Sequence, residues 1–222
     1  MIIGSGLIAK SLINIDTKDN LFFASGVSNS LETRNSEFER EFSLLKDALK
    51  NNDNLKFIYF STLSVKDQSK QDSHYVLHKL AMENYIKSNS KNYLILRIGN
   101  IVGNGGNPNT LFNFLKNQIK NNNEFSLHLK ARRFLLDIED IADFLESRCL
   151  NISNKILNVA FPYNYNLKEI IAAIEENTHQ KAIYKEINEG DFYKVDFDEN
   201  IMTFFSGKSP EEYLETLTRK YI

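Results

Sequence analysis

The chain of 222 residues is poor in several things, and each shortage excludes something. It has one cysteine, Cys149, so no disulfide can close within it, and a reducing cytoplasm fits. Cys149 lies in a helical pattern and reads as a small core or boundary residue. Net charge is nearly absent, with 27 Lys and Arg against 29 Asp and Glu and a balance of −2 at pH 7. Such a balance gives no electrostatic reason to expect nucleic acid or an acidic membrane as partner. No apolar run approaches the length of a membrane span. No basic segment followed by a long apolar stretch opens the chain, which argues against a signal peptide. There are no internal repeats, and the Asn and Lys richness is spread out rather than gathered in a tract. No residue is assigned to a metal. What remains is ordinary for a globular protein: 42% hydrophobic, 25% charged, and long enough for one domain or one domain with a small lobe.

What is present is an alternation of buried strands and helices. Met1-Ile2-Ile3 reads as a strand ending at a glycine turn, and residues 7–13 as a short helix. Leu21 to Gly26 reads as a second buried strand. Helical spacing over 36–50 puts Phe38, Phe42, Leu45 and Leu49 on one face. In that stretch the run Glu37-Phe38-Glu39-Arg40-Glu41 reads as an exposed helix face. Phe57 to Phe60 is the third strand, 75–88 a helix and Tyr93 to Arg97 the fourth strand. Further on, helices are expected over about 110–120, 138–150 and 167–176 and after Pro210, with strands at 134–137 and 156–160. Strands that are apolar throughout argue for a parallel sheet covered on both faces. Right-handed crossovers would make it a doubly wound, Rossmann-like α/β fold.

Two pieces carry chemistry. Gly4-Ser5-Gly6-Leu7-Ile8-Ala9 fits G-x-G-x-x-A between a strand and a helix. The first glycine permits the tight turn, the second lets a pyrophosphate approach the backbone, and the small Ala9 lets the helix pack. The helix N-terminus then offers free N–H groups. A plain strand-to-helix turn is the alternative. The second piece is Tyr75-Val76-Leu77-His78-Lys79, downstream of Phe60-Ser61-Thr62. Residues four apart on a helix share a face. An ammonium beside a phenol favours the phenolate, and such a phenol can give or take a proton at a carbonyl or alcohol oxygen. The alternative is a solvated Lys beside a half-buried Tyr.

Taken in order, these segments resemble the extended short-chain dehydrogenase/reductase superfamily, the NAD-dependent epimerases and dehydratases that modify nucleotide-linked sugars. Gly4 to Ala9 is similar to its dinucleotide turn, and Phe22-Phe23-Ala24-Ser25-Gly26 to the strand that ends beside the cofactor. Phe60-Ser61-Thr62 resembles the strand end carrying the catalytic hydroxyl, and Tyr75 with Lys79 the Tyr-x-x-x-Lys pair. Leu96-Arg97-Ile98-Gly99-Asn100-Ile101-Val102-Gly103 and the segment from Arg133 to Ala142 resemble two further family segments. The likeness covers about residues 1–176. It implies that Thr62, Tyr75 and Lys79 are catalytic, and that NAD or NADP is held by Gly4, Ser5, Gly6, Leu7, Ile8, Ala24, Ser25, Gly26, Ser61, Tyr75 and Lys79. Asn100 and Arg133 would bind the nucleotide-sugar substrate. For Arg133 a surface ion pair with Asp137 or Glu139 is the alternative. Arg97 is expected to be structural, and His78 to point off the catalytic face without a role. The resemblance further implies a dinucleotide-binding domain of 1–100 plus about 135–160, a small substrate lobe of 101–134 and 161–222, and a homodimer joined through the helices at 36–50 and 75–88.

Two departures from the pattern matter. Only residues 14–20 separate the glycine-turn helix from the strand matched by 21–24, where the family has two more strands. The adenosine side of the sheet is therefore expected to be truncated, with no residue at the ribose-reading position; Asp16 and Lys18 are nearby but unmatched. A pocket so reduced should hold the dinucleotide less tightly or less selectively. Leu63 and Ser64 also stand where the dehydratases carry an acidic pair, which argues against water elimination. The expected function is a reductase of a keto group on a nucleotide-linked sugar, in surface polysaccharide or other sugar biosynthesis. An epimerase with retained NAD and a non-catalytic dinucleotide-binding protein are the alternatives.

Overall fold

The computed structural model describes residues 1–27 and 29–222. From the start of the chain, β1 (Ile2–Ile3) leads into α1 (Leu7–Ser11), and β2 (Asn20–Phe23) into α2 (Asn35–Asn51). β3 (Lys56–Thr62) is followed by α3 (His74–Asn89), and β4 (Tyr93–Ile98) by β5 (Asn100–Val102) and α4 (Leu111–Lys120). Then come β6 (Glu124–His128), β7 (Arg132–Asp137), α5 (Ile138–Phe144) and β8 (Lys155–Val159). The chain ends with β9 (Asn164–Asn166), α6 (Leu167–Thr178), β10 (Ile183–Ile187), α7 (Glu199–Phe204) and α8 (Pro210–Tyr221). Among the described residues, no helix is long and apolar enough to cross a membrane.

Five parallel strands form the main sheet in the order β1-β2-β3-β4-β8. Every residue of β2 and β3 is buried, as a sheet covered on both faces requires. Successive side chains alternate between faces. Phe23, Phe57, Tyr59 and Ile95 meet Leu45, Ala48 and Leu49 of α2 and Met82 and Ile86 of α3. Phe22, Ile58, Phe60, Leu94 and Leu96 turn the other way, onto Leu12, Ile15, α5 and the C-terminal helices. Lys56 opens β3 as a buried cation, and burial lowers its pKa. Its ammonium donates to the carbonyls of Cys149 and Leu150 at 3.1 and 2.8 Å. Those carbonyls end a π-turn over Leu145–Cys149, so the helix expected across 138–150 widens after Phe144.

β1 is the edge of the sheet: it pairs with β2, and no strand lies beyond it among the described residues. The truncation expected from the short 14–20 segment is thus the architecture found. One expectation changes. The crossovers β1–α1–β2, β2–α2–β3 and β3–α3–β4 all step the same way across the sheet, yet α1 lies on the face opposite α2 and α3. Parallel crossovers that step the same way on opposite faces have opposite hands. With the usual right hand in the second and third, the first is left-handed. The physical reason is occupancy: α2 already covers Leu21 and Phe23, so Leu12 and Ile15 find their apolar partners on the other side.

The rest of the chain packs on the same core. β5, β7 and β9 form a small sheet, and β6 pairs in parallel with β10. α6 and α8 each begin with a reciprocal capping box, Asn166 with Glu169 and Ser209 with Glu212. α8 is fastened by buried phenols. The Tyr213 ring stacks on Phe161 at 4.1 Å; its hydroxyl donates to Asp140 Oδ2 at 2.5 Å and accepts from the Asp137 N–H at 2.8 Å. Tyr221 donates to Asp137 Oδ1, and Lys220 bridges Asp137 and Glu139. Tyr213→Phe keeps the stack but leaves a buried carboxylate and a buried N–H short of a partner. It should cost about 2–3 kcal/mol. Urea unfolding should show a lower midpoint with an unchanged slope; an unchanged midpoint would refute this account of α8.

Candidate active site

The C-terminal ends of β1 to β4 lie side by side and bring the expected site segments to one edge. Gly4 takes φ +130°, and a side chain there would meet the Ala24 carbonyl oxygen at 2.4 Å, so the turn is pressed against the end of β2. Gly6 caps α1, and nothing lies within 4 Å of where its side chain would be. Gly4, Ser5 and Gly6 are exposed, with Leu7 and Ile8 half-buried behind them. The first backbone bond of α1 is Lys10 N–H to Gly6 O, which leaves the earlier N–H groups facing the turn. Ala24, Ser25 and Gly26 continue from β2 beside this turn. β1 ends level with Tyr59, three residues short of Thr62, so the Thr62 hydroxyl stands roughly 10 Å further along the strand direction. Thr62 is buried, and its Oγ1 accepts the Ser64 N–H at 3.1 Å, which fixes the turn that follows β3.

Tyr75 and Lys79 share one face of α3, as their spacing predicts: the Lys79 Nζ lies 5.8 Å from the Tyr75 ring centroid. Tyr75 is half-buried, and its hydroxyl has no hydrogen-bond partner among the described residues. Lys79 is only 2% exposed. Its ammonium donates to Glu41 Oε1 at 2.9 Å and to the Tyr59 hydroxyl at 3.1 Å. Glu41 is fully buried, which corrects the reading of Glu37 to Glu41 as an exposed face. Its carboxylate takes four donors: Lys79, the Tyr59 hydroxyl at 3.1 Å, the Val27 N–H at 2.7 Å and His78 Nε2 at 3.1 Å. His78, expected to point away, therefore reaches the same carboxylate, and its ring rests against Phe38 at 4.8 Å. Burial pushes the Glu41 carboxyl up, but Lys79, His78 and the Val27 N–H outweigh it and hold it down at about 2. Burial of Tyr59, with Glu41 beside it, pushes that phenol well up. A sequence signal for Glu41 exists: it falls three residues after Phe38 and four before Leu45, on the apolar stripe of α2.

The remaining expected residues are placed as follows. Ser61 points to the α3 side, where its hydroxyl donates to Glu83 Oε1 at 2.6 Å. Arg97 forks onto the same buried Glu83 at 2.9 and 2.6 Å, the structural role expected of it. Asn100 donates to the Phe134 carbonyl at 3.1 Å and ties β5 to β7. Arg133 donates to the carbonyls of Arg132 and Asp191 at 2.7 and 2.9 Å, not to Asp137 or Glu139, which Lys220 occupies. Cys149 is core, and burial pushes its thiol up to about 12. A groove of about 790 Å³ opens next to β7 and β9, lined among others by Arg132, Phe134, Tyr163, Tyr193 and Phe197. Phe134 and Tyr193 pack on Leu63, the neighbour of Thr62.

A dinucleotide fits this edge in its central part. The open space at Gly6 and the uncapped start of α1 suit a pyrophosphate. Lys79 has three N–H groups and spends two on Glu41 and Tyr59, so one is left without a partner among the described residues, and a ribose hydroxyl would suit it.

A model of the family described as "NAD dependent epimerase/dehydratase family" matches residues 20–160, from the start of β2 to just past β8. A UDP-N-acetylglucosamine 4-epimerase from Methanobrevibacter ruminantium, solved with UDP-N-acetylmuramic acid, is 20% identical with a TM-score of 0.73; the match covers 100% of this chain and 81% of that one. A mutant UDP-glucuronic acid 4-epimerase from Bacillus cereus, solved with NAD and a UDP-sugar analogue, is 16% identical with a TM-score of 0.74, over 98% and 78% of the two chains. A dTDP-glucose 4,6-dehydratase from Bacillus anthracis, solved with NAD, is 12% identical with a TM-score of 0.68, over 99% and 78%. No curated protein matches the chain. At these identities the solved structures show a shared fold.

The Glu41 network carries a pH prediction. The Glu41 carboxyl is held at about 2, below its ordinary 4.5, so it contributes stability that is complete above 4.5 and lost as pH falls from about 4.5 to about 2. Glu41→Gln leaves Lys79 buried without its countercharge and should cost about 3 kcal/mol near pH 7. The deficit should shrink at pH 3, read as urea midpoints of both proteins at the two values. A folded variant with an equal deficit at both would contradict the pairing.

Proposed function

The chain belongs to the NAD dependent epimerase/dehydratase family, and we propose that within it the protein reduces a keto group of a nucleotide-linked sugar. The observation that carries this is the Tyr75 hydroxyl, without a hydrogen-bond partner among the described residues and held on the same helix face as Lys79, on a helix that packs against β3 and the turn after Thr62. NAD(P)H, when bound, would supply the hydride. Tyr75 gives its proton to the oxygen that becomes the alcohol, and the Thr62 hydroxyl hydrogen-bonds the same oxygen as charge develops there. The remaining Lys79 N–H holds a ribose hydroxyl. Gly4 to Ile8 and Ala24 to Gly26 line the cofactor side. Ser61 supports that side through Glu83. Asn100 and Arg133 belong to the substrate side.

Residues 101–134 and 161–222 act as the substrate lobe on this reading, and 1–100 with about 135–160 as the dinucleotide domain. The groove next to Phe134 and Tyr193 supports this division, because it opens from the residues that pack on Leu63. A cofactor that leaves after each turnover suits a sheet with no strand beyond β1 among the described residues. The protein works as a homodimer through α2 and α3, in the cytoplasm, in surface polysaccharide or related sugar biosynthesis.

A 4-epimerase is the second reading. It is favoured by the fold neighbours, among them a Thermus thermophilus UDP-glucose 4-epimerase solved with NAD. One experiment separates the readings. Ketosugar nucleotides with NADH or NADPH should give alcohol product and stoichiometric loss of the reduced cofactor. Interconversion of UDP-sugars without net loss would mark an epimerase, and dinucleotide binding without any turnover a non-catalytic binder. Tyr75→Phe should lower turnover by on the order of a hundredfold or more while leaving the unfolding midpoint in place. Retained turnover would reject Tyr75 as the proton donor.

A further inference from the structure

We propose that this site holds its dinucleotide through the pyrophosphate and the nicotinamide half alone. The adenosine half lies over the free edge of β1 without a dedicated partner among the described residues, and the 2′-phosphate that separates NADP from NAD goes unread. The proposal rests on the functional reading above and concerns what that reading leaves open, the means of cofactor selection.

Three observations carry it. In a dinucleotide-binding sheet, a residue about 20 positions past the glycine turn, on the next strand outward, reads the adenosine ribose. Here the strand at that distance is β2, on the inner side of β1, and Asn20 and the three apolar residues that follow it are all buried. No outward strand exists among the described residues.

The second observation disposes of the charged residues between α1 and β2. Asp16 pairs with the amino group of Met1, which also donates to the carbonyls of Thr17 at 2.9 Å and Asn20 at 2.7 Å. Met1 precedes β1, whereas the glycine turn follows it. The segment 16–20 therefore sits at the opposite end of the strand from Gly4, roughly 10 Å away. Asp16, Lys18 and Asp19 are exposed there, at the end of β1 away from the turn.

The third observation concerns what does stand beside the turn. Gly103 and Gly106 approach the Leu7 side chain so closely that a side chain of their own would come within 3.2 and 3.4 Å of it, so a glycine loop packs on the start of α1. That loop brings no charged side chain: residues 103–109 are Gly, Asn and Pro. The charged group on α1 is the exposed Lys10, and it gives the proposal its sharpest competitor. If Lys10 met a 2′-phosphate, NADPH would bind more tightly than NADH.

The test is binding, independent of turnover. NADH and NADPH are titrated onto the full chain by their fluorescence, and NADH is then displaced with nicotinamide mononucleotide, AMP or adenosine 2′,5′-bisphosphate. The two reduced dinucleotides should bind within about threefold of each other. Nicotinamide mononucleotide should displace NADH, while AMP and the bisphosphate at the same concentrations should not. Displacement by AMP as effective as by nicotinamide mononucleotide would overturn the proposal and leave the functional reading standing. So would a preference of about tenfold or more for either dinucleotide, and a preference for NADPH abolished in Lys10→Ala would identify the reader. Failure of both NADH and nicotinamide mononucleotide to bind would overturn the proposal together with the functional reading.

Discussion

The shortness of the return from α1 to β2 is the constraint on which the architecture depends. The chain has only residues 12–19 in which to come back to the sheet, so β2 must take the place next to β1. The next helix occupies one face of that strand, and α1 is left with the other. The resulting change of hand is rare, but it has a use. A ligand crevice in an open α/β sheet forms where neighbouring strands send their helices to opposite faces. That divergence survives between β1 and β2, and the glycine turn and the Ala24 to Gly26 segment flank it. The sheet stops at β1, yet the divergence of helices that such a crevice needs is kept.

Beneath that edge of the sheet, one carboxylate organises four elements. Glu41 of α2 takes bonds from α3 through Lys79 and His78, from β3 through Tyr59, and from the segment after β2 through Val27. A buried ion pair is a poor source of net stability, because desolvation offsets its attraction. Here the carboxylate is saturated with donors, and the geometry it fixes is the face that presents Tyr75. Gly26 fits this arrangement closely: a side chain there would come within 2.8 Å of the Lys79 Nζ. The packing thus ties the strand-end backbone to the lysine below it.

Much of the fold was legible because its strands are apolar on both faces. Phe57-Ile58-Tyr59-Phe60 and Tyr93-Leu94-Ile95-Leu96 carry no competing pattern, and α2 ahead of them keeps a clear stripe in Phe38, Leu45 and Leu49. The elements that escaped are those whose pattern is weak or non-local. Glu124–His128 buries only Phe125 and Leu127 in full, and its partner Ile183–Ile187 buries none. The π-turn after Phe144 answers to a lysine about ninety residues earlier in the chain, which no local spacing reveals. In the candidate site, Tyr75, Lys79 and Thr62 stand out in the sequence as an ordered set of motifs. Glu41 was hidden by its charged neighbours, because a run of acids and one arginine reads as solvent-facing until its register against Phe38 and Leu45 is considered. The partners of Arg133 were equally out of reach, since the acids near it in sequence are claimed by a helix that begins at Pro210.

Cutting strands from a sheet exposes a new border, and a border of unpaired N–H and C=O groups is a template on which other chains can assemble. In this protein the border strand is two residues long, Ile2–Ile3. So short a strip offers too few groups in line to recruit a foreign strand. The brevity of β1 is therefore a safeguard as well as a remnant: it lets a sheet that ends abruptly remain a poor seed for aggregation.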